Sequence, residues 1–218
     1  LGHAILFSLM DLPAMGRRTQ EFGAFHEASA DLIALLSSMH FDSVLDRLLR
    51  ATKGNIYALN EINRIAEISD SHQIRIASNT RKMSEVIGTD DVHDLSRPMT
   101  AAIFDSMAYV FLLTLRDSGL IPDELMQATM TVRVRQGKAS EIQKAFNAAY
   151  ANRHFQFKAA LMVARDVIGA RLCAMWSSLP ANDLTYAEAA AAFLQAGPKT
   201  HSDPYRAEFE DIFRWREI

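Results

Sequence analysis

The chain has 218 residues, 49% of them hydrophobic and 22% charged, with a formal net charge of -3. That is enough apolar material to bury a core without disulfides or an obligate partner, and one domain over 1–218 is expected. The charge balance gives no electrostatic footprint for nucleic acid, and the basic cluster Arg133, Arg135 and Lys138 reads as solvated surface.

Nine glycines and six prolines are few, so the composition predicts a mainly α protein rather than a turn-rich β one. The single cysteine, Cys173, excludes an internal disulfide. Its place in the apolar stretch 170–176 predicts a small buried hydrophobe and suits a reducing, cytoplasmic compartment. Apolar runs such as 107–113 fall short of the ~20 residues of a membrane span, and no basic region precedes an apolar core at the N-terminus, so no membrane partner is expected.

The opening stretch 1–10 is apolar and uncapped, the pattern of a helix entered in mid-course, so residues are expected ahead of Leu1. Leu12-Pro13 and Gly16 break it. A helix over 20–39 then places Phe22, Phe25, Ser29, Leu32, Leu36 and Met39 on one face, and another follows over 43–52. Over 53–91 periodicity weakens, with Asn60, Asn63, Ser69, Asp70, Ser71 and Asn79 interspersed, and short helices joined by a loop are expected. Ser96-Arg97-Pro98 reads as a helix start leading through Leu115, and Asp117-Ser118-Gly119 as its end. The alternation over 130–135 fits a strand or a charged helix surface. A long helix over 140–178 with a break near Asn152 follows, then a capping box at Thr185 and Glu188 opening an Ala-rich helix that stops before Gly197-Pro198. Ser202-Asp203-Pro204 opens a last helix carrying Phe209, Phe213 and Trp215.

Four stretches bear on chemistry. His3 sits alone on an apolar helix, where a histidine is more often a core residue than a ligand. Glu27 and Asp31 are i,i+4 on a helix face crowded by Phe25, Ala28, Leu32 and Leu35. Burying an unpaired carboxylate costs several kcal/mol or more, so such a pair calls for a cation, a metal or dedicated donors. His93 is flanked by Asp90, Asp91 and Asp94 just before a helix, neighbours that favour the imidazolium and fix its orientation, although a loop histidine in an acidic helix start has the same look. Arg165 and Asp166, with Arg171 and Trp176 beyond, read as structural, each charge needing its own partner.

Taken together and in order, these stretches resemble the gluzincins, the thermolysin-like zinc metallopeptidases. Leu1-Gly2-His3-Ala4-Ile5-Leu6 is similar to the tail of an H-E-x-x-H helix, and His26-Glu27-Ala28-Ser29-Ala30-Asp31 to the family's following His-Glu or Asn-Glu motif. Asp90-Asp91-Val92-His93 is similar to its downstream Val-His step. The resemblance covers about 1–115, a zinc-site part, with 116–218 a helical C-terminal part, so the fold it implies is a bundle like the family's C-terminal helical lobe. It implies Zn2+ held by His3 and Glu27, Asp31 supporting a ligating histidine, and His93, oriented by Asp90 or Asp91, facing the transition state. The substrate implied is a peptide or protein. The first His and the Glu of H-E-x-x-H lie outside 1–218, so this chain alone is expected to be inactive. The rival expectation is a helical scaffold or interaction domain with a decayed site.

Overall fold

The computed structural model describes residues 2–58, 64–65, 75–198 and 202–218. The fold is mainly α: eleven helices among the described residues, with one antiparallel pair of two-residue strands, β1 (Arg64–Ile65) and β2 (Arg75–Ile76), in the register Arg64 to Ile76 and Ile65 to Arg75. Of the expectations over 53–91, those on Asn60, Asn63, Ser69, Asp70 and Ser71 lie outside the described residues. The helices are α1 (Gly2–Leu9), α2 (Gln20–Ser38), α3 (Asp42–Thr52), α4 (Met83–Val86), α5 (Val92–Asp117), α6 (Asp123–Met130), α7 (Val132–Gly137), α8 (Ala139–Tyr150), α9 (His154–Ser178), α10 (Tyr186–Gln195) and α11 (Arg206–Trp215).

Local chemistry explains most of these limits. Thr19 caps α2, its hydroxyl oxygen accepting from the Phe22 amide at 2.9 Å. At Thr185 and Glu188 the capping box forms, with reciprocal side chain to backbone bonds. Gly119 takes the left-handed conformation after α5, and the bonds from Leu120 N to Leu115 O and from Gly119 N to Arg116 O close a Schellman motif. Asn152, with φ of 60°, separates α8 from α9. The alternation over 130–135 forms no strand: Met130 ends α6 and residues 132–135 lie in α7.

Three sequence expectations are corrected. Helix α5 begins at Val92 and not at Ser96, because Asp91 accepts from the His93 amide and starts it earlier. The Ser96 hydroxyl instead donates back to the His93 carbonyl, leaving Pro98 inside the helix. Cys173 is exposed, because Ile168, Leu172, Met175 and Trp176 take the buried face of α9 and leave position 173 on the other side. Arg165 and Asp166 bond to each other at 2.7 Å despite their divergent Cβ directions, since the long Arg side chain folds back while its Nη1 reaches the Met39 carbonyl.

The chain divides into two compact units. The first comprises Leu1–Ala34, Asn79–Ser106 and Ile168–Ile218. Its core holds Leu6, Phe22, Phe25, Leu32, Leu95, Met99, Phe104, Leu172, Phe193 and Phe209, each burial of a Leu or Phe stabilising by roughly 1.5–3 kcal/mol. Arg216 is fully buried in this unit, its guanidinium donating to Asp105 Oδ2 at 2.5 Å, the Arg81 carbonyl at 2.8 Å and the Asn79 carbonyl at 2.7 Å. Arg171 pairs with Asp203 at 2.6 Å, and Trp176 Nε1 donates to Ser29 Oγ at 3.1 Å.

The second unit comprises Leu35–Ser78 and Met107–Val167. Leu45, Leu48, Leu49, Phe111, Phe146, Phe157 and Leu161 fill its core. Gly54, with φ of 84°, lies so close to Phe157 that a Cβ there would stand 2.4 Å from the ring. Asp46 on α3 receives His154 Nε2 at 2.9 Å and Lys158 Nζ at 2.9 Å. The other nitrogen of that imidazole, Nδ1, meets the Tyr150 hydroxyl.

Helix α5 is long and apolar enough to cross a membrane by length and composition, with a mean hydropathy of 1.5. Because 83% of that apolar stretch is buried within the molecule, its surface is already used as core.

Candidate functional site

The candidate site lies wholly in the first unit, where α1, α2 and the start of α5 meet. Gly2 makes the approach of α1 to α2 possible. A Cβ at that position would stand 2.7 Å from the Ala30 Cα, and backbone cannot yield to it. This contact sets the next residue, His3, across from Glu27, with His3 Nε2 and Glu27 Oε1 3.6 Å apart. The second carboxylate oxygen, Oε2, faces His93 Nδ1 at 3.2 Å. Glu27 therefore stands between two imidazoles brought from opposite ends of the first hundred residues, with its side chain 20% exposed and each imidazole about half exposed.

The other sequence-predicted residues divide. Asp31, one turn beyond Glu27 on α2, is buried. Asp91 holds the backbone amide of His93 at 2.8 Å and so fixes the first turn of α5, which carries the imidazole. Asp90 Oδ1 accepts from Gln20 Nε2 at 3.3 Å, linking that loop to the start of α2. Asp94 pairs with Arg97 at 3.1 Å.

His26 has a place that sequence reasoning did not assign. In the sequence it is only a letter of the Glu27 motif. In the structure it is 5% exposed, wedged between the rings of Phe7 (4.8 Å) and Phe22 (4.6 Å) and stacked on His3 at 6.1 Å. Burial, assisted by the nearby His3 and Arg18, pushes its pKa from 6.5 down to about 4, so it is neutral at neutral pH. Its Nε2 is buried with no hydrogen-bond partner. The signal available in the sequence was the i,i+4 pairing of Phe22 with His26 on the core side of α2.

Beside these groups opens a cleft of about 610 Å³. Its apolar wall is formed by Phe7, Leu12, Pro13, Met15, Phe22 and Val92, and His3, His26, Glu27 and Arg18 supply its polar atoms. A concave, largely apolar site with a few convergent polar groups is the usual form of a ligand site.

The donor set can be tested against a metal. Two ligand atoms each about 2.0–2.1 Å from a tetrahedral zinc stand about 3.3 Å apart. The 3.6 Å between His3 Nε2 and Glu27 Oε1 is close to that spacing, so this pair fits two corners of such a centre. Among the described residues no three His, Cys, Asp or Glu side chains form a complete metal-holding group. Compared with protein-family models, with curated proteins and with solved structures, the chain matches none of them.

Proposed function

We propose that this chain supplies part of the catalytic site of a gluzincin-like zinc metallopeptidase that hydrolyses peptide bonds, and that its helices correspond to the C-terminal helical lobe of that family. The observation that carries the reading is the Glu27 carboxylate set between the His3 and His93 imidazoles at 3.6 and 3.2 Å, on the rim of a cleft of peptide-binding size.

In this reading His3 and Glu27 hold the zinc, and Asp31 steadies a ligating histidine from within the helix. The zinc, when bound, supplies a Lewis acid that lowers the pKa of a water toward about 7 and polarises the scissile carbonyl. His93 donates a hydrogen bond to the oxygen on which negative charge develops, and Asp91 sets its position by anchoring the first turn of α5. The apolar cleft wall excludes water beside the reacting bond and orients the peptide. His26, neutral and packed between two phenylalanines, gives His3 a firm backing without adding charge. A third protein ligand and a general base are needed besides these residues.

The test is zinc content and cleavage of a casein-type substrate by the full-length protein, before and after Glu27→Gln. Loss of both is the expected outcome. Unchanged zinc and activity in the variant overturns the assignment, and a native protein without zinc favours instead a helical scaffold in which the three residues persist for packing.

A further inference from the structure

The cleft holds one cation that the peptidase reading does not use. Arg17 pairs with Asp183, but among the described residues no carboxylate pairs with its neighbour Arg18. The Arg18 side chain extends along the cleft instead. Its guanidinium carbon stands 5.9 Å from the centre of the Phe22 ring, and a Cβ on Gly23 would lie 3.7 Å from its Nη2. The guanidinium therefore lies within van der Waals reach of position 23 on α2. The walls on either side are apolar, with Met15 fully exposed, Leu12 69% exposed and Phe7 50% exposed. Of the other polar groups in the cleft, the Glu27 carboxylate is turned to His3 and His93, and His26 is wedged between the rings of Phe7 and Phe22.

An apolar trough with one uncompensated guanidinium is complementary to an apolar group that carries a negative charge beside it. The geometry points to Arg18 as a specificity-determining residue: it selects peptides in which a large apolar side chain, seated against Phe7, Leu12 and Met15, is followed by an acidic side chain. The acidic group is assigned to a side chain rather than to a chain end because C-terminal carboxylates are ordinarily captured in nests of backbone N–H groups, whereas Arg18 offers a single side chain at an open rim. This assignment rests on the peptidase reading for its substrate class, but the binding it describes needs no metal.

The test is fluorescence anisotropy in EDTA with three short labelled peptides. The first is C-terminally amidated and carries a central Phe-Glu, the second is its Phe-Gln counterpart, and the third is the Phe-Gln peptide with a free C-terminus. A guanidinium–carboxylate pair at an exposed rim is worth roughly fivefold in affinity, so the Phe-Glu peptide should bind about that much tighter than either other peptide. Arg18→Gln should remove the difference, and Met15→Ser should weaken all three alike. Both side chains are exposed, so neither variant endangers folding. Equal binding of the two amidated peptides, a preference that survives Arg18→Gln, absence of binding by any peptide, or a free-carboxylate peptide that matches Phe-Glu would each overturn the assignment. Zinc content of Glu27→Gln is read separately. Zinc content unchanged by Glu27→Gln with intact Arg18 selectivity overturns the peptidase reading alone, and zinc lost in Glu27→Gln with no Arg18 selectivity overturns the Arg18 assignment alone.

Discussion

Two histidine–carboxylate clusters in this molecule use nearly the same side chains to different ends. Around Asp46 the imidazole is held at both ends: His154 Nε2 and Lys158 Nζ both reach Asp46 Oδ1, and the second imidazole nitrogen meets the Tyr150 hydroxyl. Both imidazole nitrogens and Asp46 Oδ1 have neighbours within the cluster, the pattern of a network that rigidifies. Around Glu27 the carboxylate is also shared by two imidazoles, but it borders a cleft of about 610 Å³, and behind it His26 keeps a buried nitrogen without a partner. A stable fold seldom leaves such capacity unused. Residue type therefore does not separate a structural cluster from a functional one; the closure of the hydrogen-bond circuit and the adjoining concavity do.

The largest effect that can break this comparison is in zinc affinity. Losing a carboxylate ligand should weaken zinc binding by roughly a hundredfold or more, a larger loss than the 10–100-fold typical of a supporting residue. Zinc titration of full-length Glu27→Gln should show it, while Asp46→Asn should titrate as the native protein does. Equal losses in both variants would erase the distinction.

Acid stability separates the clusters next. His26 binds its proton less readily in the folded chain, at about 4, than at the ordinary 6.5. Its contribution is complete above pH 6.5 and is lost as pH falls toward 4, on the order of 3 kcal/mol in all. Asp46 behaves with the same sign but in a lower window, because there the charged form is the one favoured. Hydrogen bonds from Lys158 and then His154 hold its pKa below 3.8, so its contribution is present above that value and is lost only as pH falls below it. Denaturant unfolding of the metal-free chain at stepped pH, for native, His26→Phe and Asp46→Asn proteins, should place the first loss between pH 6.5 and 4 and the second below 3.8.

At neutral pH the order reverses. His154→Ala leaves Asp46 and the Tyr150 hydroxyl short of a partner and should cost roughly 1–2 kcal/mol, or about 2–8 °C in Tm at the ~2–4 °C per kcal/mol expected for a domain this long. His26→Phe removes an unsatisfied nitrogen from an aromatic pocket and should change stability by less than about 1 kcal/mol in either direction. A His26 variant more costly than His154→Ala would show that the buried imidazole has a stabilising partner, and the comparison would fail.

The sequence was legible where a local rule decides the structure. The capping box at Thr185, the terminating Gly119 and the interruption at Asn152 depend on residues within one or two turns, and all three stand where local chemistry put them. The face Phe22, Phe25, Ser29, Leu32 and Leu36 of α2, with Met39 just beyond its end, is buried throughout. Local rules failed where two of them competed. Ser96 before Pro98 has the form of a helix start, but Asp91 is also a good cap and lies earlier, so the helix begins there and tolerates the proline. Cys173 lies in an apolar stretch whose period puts its neighbours, not itself, inward. In the candidate site the order of motifs pointed to His3, Glu27 and His93, and the structure brings their side chains together. What no local pattern could show was the tertiary part: the approach of Phe7 to the Phe22–His26 pair, and the link of Asp46 to His154. Neither has a sequence period, because each joins residues from elements that meet only on folding.

The contact of Gly2 with Ala30 divides the labour of this surface. The 3.6 Å spacing of His3 and Glu27 is set by two helix backbones touching, so it is a property of the scaffold. The wall of the cleft from Leu12 to Arg18 belongs instead to the connection between α1 and α2, a segment without regular secondary structure that can change in length and composition while the helices keep their approach. Exchanging that connection would re-tune what the cleft accepts and leave the His3–Glu27 pair in place, which makes it the natural point of entry for engineering new selectivity.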